Sequence, residues 1–350
     1  MVRKIALLLL LALLAACGGS PAGGRQVPYA VSRIADEYAI PSVSVAVMPA
    51  DGEVRQTCYG KGTGSSLYCV GSVSKSFVAA LALILQQEGS IRLDDPVGKY
   101  LPALSLWDKD RVTLRDLLSM RSGVADYTTD FAPADYFKDY APDELIHMGI
   151  RNSALLERGD FRYSNTNILI AKEMIEAATG KECETLIREK ILVPCGLKDT
   201  FFADEKSRIH SRIIHGYSDT LQDGRMDFTG ATTSWSGLAC GMYSTASDIA
   251  KWADALIRGH FLSEASKQAL LDFFSVRDGV EYGLCVARKM LRGQQVIFLQ
   301  GNVPGYGAAV LIRGDTVYAV LCDLSDYSGG GVYYAELIAD ELALSDAGNR

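Results

Sequence analysis

Ser72 and Lys75 stand three residues apart in Gly71-Ser72-Val73-Ser74-Lys75, at the start of the strongly apolar run 74–87. Positions three apart on a helix share a face, which sets the lysine amine beside the serine hydroxyl. An amine there can take the hydroxyl proton and free the oxygen to attack a carbonyl. The apolar setting and the positive helix end both disfavour an ammonium, so a lowered Lys75 pKa is expected. On spacing alone the pair also reads as an N-cap serine followed by a solvated lysine. A second group is Tyr163-Ser164-Asn165, just before an apolar-periodic stretch. A phenol near a lysine can be held partly as phenolate and shuttle a proton to or from Ser72 or a leaving group. Asn165 can donate its amide to a substrate carbonyl while accepting from Lys75. The same three residues also suit a helix start with a packing tyrosine.

Other chemistries find less support. There is no G-x-S-x-G elbow, and His147, His210, His215 and His260 are scattered, so a Ser-His-Asp triad is not indicated. The histidines lack a ligand spacing and no C-x-x-C occurs, so neither a metal nor a cofactor is expected.

The elements that must position these groups follow from hydrophobic period. A helix is expected over 28–38, and a hairpin from strands 42–48 and 54–59 around the turn Ala50-Asp51-Gly52. The next helix runs over 74–87 and stops at Gly89. Residues 91–199 read as mostly helical, with helices at 114–119, 143–148, 167–179 and 183–191. Strands return at 282–290, 294–299, 308–313 and 316–323, and a helix over 332–344 closes the chain. Strands at both ends with helices between describe an α+β domain over 28–346. Its α/β part takes 28–90 and 200–346, and 91–199 is a helical insertion. Trp107, Trp235 and Trp252, and the cluster Tyr127, Tyr136 and Tyr140, read as packing residues, and Asp126 and Asp130 as solvent-facing.

The chain has 350 residues, 48% hydrophobic and 22% charged, with a formal net charge of −7. That composition belongs to a folded water-exposed body, and an acidic chain offers no footprint for nucleic acid. Arg3 and Lys4, then an apolar run over 5–16, form a signal peptide, too short for the ~20 residues of a spanning helix. The run ends in Leu14-Ala15-Ala16-Cys17 before a Gly/Ser/Pro tether reaching residue 27, and is similar to the lipobox of bacterial lipoproteins. That resemblance implies removal of 1–16, lipidation of Cys17 and attachment to a bilayer of the cell envelope, at the outer membrane facing the periplasm in a Gram-negative host. Seven cysteines remain after Cys17. Cys58 and Cys69 flank a Gly/Ser-rich turn and are the best candidates for a disulfide, with buried thiols the default for the others.

Taken in order, the motifs resemble a known family. Gly71 to Phe77 is similar to the nucleophile segment of the class C β-lactamase-like serine hydrolases, which include D-Ala-D-Ala carboxypeptidases and related esterases. Val112 to Val124 resembles the segment that begins the family's helical region, with Met120-Arg121 in place of the usual His-Thr. Tyr163-Ser164-Asn165 matches the Y-x-N element, and Gly237 to Trp252 resembles the stretch before the last strands. The resemblance implies a β-lactamase/transpeptidase-like fold, an antiparallel sheet flanked by helices. It also implies Ser72 as nucleophile, Lys75 and Tyr163 as proton carriers, and the N–H groups of Ser72 and Asn302 as the oxyanion hole. Asn165 and the triplet Leu299-Gln300-Gly301 would meet substrate.

That triplet departs from the family pattern. Leu299 stands where H-x-G or K-T-G supplies a polar or cationic group, with Gln300 on the opposite face of the strand and Gly301 leading into the turn 301–306. The expected activity is hydrolysis of an ester, amide or peptide of the cell envelope through an acyl-serine, with no metal or cofactor. A β-lactamase or D-Ala-D-Ala carboxypeptidase is an alternative within enzymes, and a catalytically idle sensor or binding lipoprotein an alternative outside them.

Overall fold

The computed structural model describes residues 28–153, 157–220, 224–277, 279–326 and 333–348. The signal segment 1–16, Cys17 and the tether to residue 27 lie outside the described residues.

The strands in chain order are β1 (Ser42–Met48), β2 (Arg55–Gly60), β3 (Tyr68–Cys69), β4 (Thr200–Phe201), β5 (Tyr217–Thr220), β6 (Gly224–Asp227) and β7 (Tyr243–Ser244). They continue with β8 (Phe274–Arg277), β9 (Val280–Tyr282), β10 (Ala287–Leu291), β11 (Gln294–Val303), β12 (Tyr306–Arg313), β13 (Thr316–Cys322) and β14 (Leu324–Asp326). Eight of them form one antiparallel sheet in the order β2-β1-β13-β12-β11-β10-β9-β8. The first hairpin and the last strands therefore meet at β1 and β13, with Val45 opposite Val320. Two three-stranded sheets, β14-β5-β6 and β3-β7-β4, lie beside it.

Side-chain alternation explains the layers. In β13, Val317, Ala319 and Leu321 join the large core with the helical region, whereas Tyr318, Val320 and Cys322 join a second core. Every residue of β13 is buried, as a strand covered on both faces requires. The second core is closed by the helices Tyr29–Glu37 and Tyr334–Gly348. The helix Lys75–Gln87 lies in the first core, and its residues from Lys75 to Leu85 are buried without a polar face. A helix hydrophobic all round belongs in the middle of a domain.

Several expectations are corrected. The strand expected over 282–290 is two, because Gly283 donates to the Val286 carbonyl (2.8 Å) and Cys285 takes a left-handed φ of 56°, which turns the chain. The strand expected to end at 299 runs on to Val303, and its partner begins at Tyr306, so the turn 301–306 shrinks to a tight hairpin. The Cys58–Cys69 disulfide is absent. Cys58 lies in β2 of the large sheet and Cys69 in β3 of a small one, and all seven described cysteines are free thiols. Cys69 instead donates to the Cys240 carbonyl, 3.2 Å away.

Candidate active site

The nucleophile segment is a 3-10 turn, Gly71–Ser74, feeding the helix that begins at Lys75. Strand β11 lies directly against this turn, and the contact is backbone on backbone. A Cβ on Gly301 would stand 2.1 Å from the Val70 carbonyl oxygen and 2.9 Å from the Ser72 nitrogen. A Cβ on Gly71, whose φ is 53°, would stand 3.1 Å from the Asn302 nitrogen. Only glycine permits that approach. It brings the main chain of Ser72 and of Asn302 to the same corner, where two N–H groups can receive a developing oxyanion.

Lys75 is 1% exposed, and its Nζ donates to Ser72 Oγ (2.8 Å) and to the Ala239 carbonyl (2.7 Å). The Tyr163 ring centroid is 4.9 Å from Nζ. Although 42% of Tyr163 is exposed, its hydroxyl end is enclosed and hydrogen-bonded with Lys75 and Ser72. Two donors of the buried ammonium are thus matched by oxygens at hydrogen-bond distance and Tyr163 lies beside it, which is how a buried charge is kept.

The expected lowering of the Lys75 pKa is corrected. Burial does favour the neutral amine, but Tyr163, Cys240, the hydrogen bond to Tyr163 and Asp126 outweigh it, and the pKa is raised. Tyr163 is also raised, by burial, against the opposing pull of Lys75 and Ser72. The resting pair is therefore ammonium and phenol rather than amine or phenolate.

Asn165 opens the helix Asn165–Thr179. Its expected bond with Lys75 is not made. The amide NH2 donates to Asp126 (3.0 and 3.3 Å) and Thr128 Oγ1 (3.4 Å), and its Oδ1 is buried without a partner among the described residues. A carboxylate can only accept, so Asp126 claims the NH2 and turns the carbonyl oxygen away from itself. Asn165 therefore does not present the donor amide expected for a substrate carbonyl, because that NH2 is held by Asp126 and Thr128. Asp126 is half-buried rather than solvent-facing.

Leu299 is 5% exposed and packs in the core shared with the Lys75–Gln87 helix. Gln300 projects to the other face, where its Nε2 donates to Glu336 of the closing helix (2.7 Å). A cavity of about 360 Å³ opens beside Ser72. Its walls include Tyr163, Phe161, Tyr282, Leu299 and Asn302, a largely aromatic and apolar lining. Cys285 reaches the same cavity, but burial holds its thiol up at about 12, far from a reactive thiolate.

Sequence reasoning missed Ala239 and Asp126. The first acts only through a main-chain carbonyl, which carries no residue signal, and the second meets Asn165 across 39 positions. The stretch 244–248 plays a structural part: Thr245 caps the helix Ala246–Arg258, and Asp248 accepts from Asp199 N (2.7 Å) and Thr200 (3.2 Å).

The family model described as Beta-lactamase matches residues 29–340. The unguisins hydrolase of Aspergillus campestris is 26% identical over 87% of this chain and 63% of its own length. Penicillin-binding protein 4* of Bacillus subtilis is 25% identical over 71% of this chain and 58% of its own. The chain thus spans about three fifths of these relatives. Among solved structures, D-amino acid amidase from Ochrobactrum anthropi with bound D-phenylalanine superposes with a TM-score of 0.82 at 23% identity, covering 92% of this chain and 99% of that one. That likeness is one of fold.

Proposed function

The chain belongs to the beta-lactamase family, and on that premise we propose that it is a serine hydrolase working through an acyl ester on Ser72. The observation that carries this is the 2.8 Å contact between Lys75 Nζ and Ser72 Oγ inside a corner shared with the Tyr163 hydroxyl. In the working form the Lys75–Tyr163 pair has lost one proton. Ser72 Oγ attacks the substrate carbonyl, its proton passes to the pair, and the oxyanion is held by the N–H groups of Ser72 and Asn302. The Tyr163 hydroxyl then gives a proton to the departing nitrogen or oxygen. Water enters and loses a proton to the same pair as it attacks the ester, and the pair returns that proton to Ser72 Oγ as the acid leaves.

The substrate class is an ester, amide or short peptide. The aromatic cavity favours an apolar substituent. Leu299 offers no charge-assisted bond to a carboxylate beside the scissile bond, which disfavours β-lactams and D-Ala-D-Ala peptides. The relatives supply the amide and peptide chemistry by analogy. With Cys17 acylated, the enzyme would work in the cell envelope on a lipid tether. The protein should then enter the detergent phase on phase separation and leave it as Cys17→Ser, and an unmodified Cys17 in the wild type defeats the tether.

The mechanism is tested by Ser72→Ala with p-nitrophenyl acetate and a fluorophosphonate probe. Labelling and turnover should vanish together, and activity near wild type in the variant would remove the mechanism.

A further inference from the structure

The same cavity holds one feature that the mechanism leaves unused. Among the described residues that line it, Arg277 is the single Lys, Arg, Asp or Glu. Other cations near this edge of the sheet are engaged. Arg288 binds Glu281 (2.6 Å), Lys289 binds Glu336 (2.6 Å) and Asp340 (2.8 Å), and Arg121 donates to the Gly159 carbonyl (2.6 Å) and lies over the Phe274 ring. Gln300, the nearest polar group on the inner strand, has given its amide to Glu336. Arg277 is exposed and has no acidic or carbonyl partner among the described residues.

Its place in the sheet sets the distance. Arg277 ends β8, the edge strand, three places from β11. Three strand spacings are roughly 14 Å, and Arg277 lines the far end of the cavity that Ser72 and Leu299 also line. An anion meeting this guanidinium would stand well away from the carbonyl held at Ser72 and Asn302. Tyr163, the proton donor to the leaving group, lines the same cavity, so the leaving group occupies it.

We propose that Arg277 is the specificity-determining residue of this enzyme, selecting substrates whose leaving group carries a carboxylate several bonds beyond the scissile bond. The inference rests on the serine-hydrolase reading and deepens it. It also explains how Leu299 is compatible with an anionic substrate. A carboxylate adjacent to the scissile bond would face leucine, whereas one at the far end of an apolar or aromatic spacer meets a planar two-pronged donor. The aromatic walls fit such a spacer.

The test uses 4-acetoxycinnamate and its methyl ester, which differ only in the charge at the far end of the leaving group. The wild type should favour the anionic ester, and the preference should shrink as salt is raised. In Arg277→Gln the ratio of kcat/KM, anionic over neutral, should fall by roughly tenfold, between the values usual for an exposed pair and for a charge-assisted bond. Arg277→Lys should restore part of it. Ser72-dependent turnover of both esters with the same ratio in wild type and Arg277→Gln overturns the proposal and leaves the hydrolase reading standing. Equal losses on both esters, with no change in ratio, also overturn it by making Arg277 merely structural. Absence of any Ser72-dependent turnover overturns the hydrolase reading, and this proposal with it.

Discussion

In the proposed mechanism, the proton inventory of Lys75 and Tyr163 decides when Ser72 can react. Both groups are raised above their usual values, Lys75 by its acidic neighbours against burial and Tyr163 by burial. At neutral pH the pair is therefore fully protonated, and the form that accepts the Ser72 proton is a minority. Removing one proton becomes easier as pH rises, so the competent fraction grows up to tenfold per pH unit until the pair titrates. For a neutral ester, kcat/KM should climb from pH 7 to pH 9 after subtraction of the Ser72→Ala background, and a flat profile there defeats this assignment. The spacing of Ser72 and Lys75 was legible because three residues span one helical turn. The charge state was not, since Cys240 and Asp126 reach the site from elsewhere in the chain. The same holds for Asn165, whose orientation is dictated by Asp126.

At the scale of elements, the site is a contact between the turn Gly71–Ser74 and strand β11. Long strands were readable from alternation, and β1 begins and ends at the expected residues. Strands of two residues, such as β3, β4 and β7, carry no period, and their existence depends on pairing with distant partners. The extension of β11 to Val303 was hidden because Gly301 and Pro304 read as turn residues, whereas Gly301 is there for the close approach to the serine turn. This argues a specific cost for Gly301→Ala. The new methyl group would meet Val70 O and Ser72 N, main-chain atoms that cannot rotate aside. The strand must move off the turn, separating the two N–H groups proposed to hold the oxyanion. We expect kcat/KM to fall roughly 10²–10³-fold, with about 1–3 kcal/mol of stability lost from overpacking. Activity within a few-fold of wild type, measured on p-nitrophenyl acetate alongside urea denaturation, would show that the contact does not set the oxyanion hole.

Over the whole molecule, the sheet is closed by bringing the first strand against the last long one, and that closure contains a buried carboxylate. Asp323 follows β13 and is 2% exposed. Its Oδ1 accepts from Ser42 N (2.8 Å), its own N–H donates to Ser42 O (3.2 Å), and its carbonyl accepts from Tyr217 N (2.8 Å). One residue thus ties β1, β13 and the sheet of β5 together. The meeting of the chain's ends was legible from strands at both termini, but this acid was not, because its burial comes from three separate segments. Burial pushes its pKa up to about 7, against the pull of its backbone hydrogen bonds. The unfolded value is about 3.9, so between these values the folded state binds more protons than the unfolded state. The contribution to stability is thus fully present below about pH 4 and is lost as pH rises through about 7. The three-unit difference sets its scale at on the order of 4 kcal/mol. Asp323→Asn keeps an oxygen to accept from Ser42 but cannot ionise. The stability difference between variant and wild type should therefore move in the variant's favour by roughly 1–4 kcal/mol from pH 5 to pH 8. Pairwise comparison cancels the titration of every other group, so equal differences at both pH values in urea denaturation would mean that Asp323 is not titrating in this range.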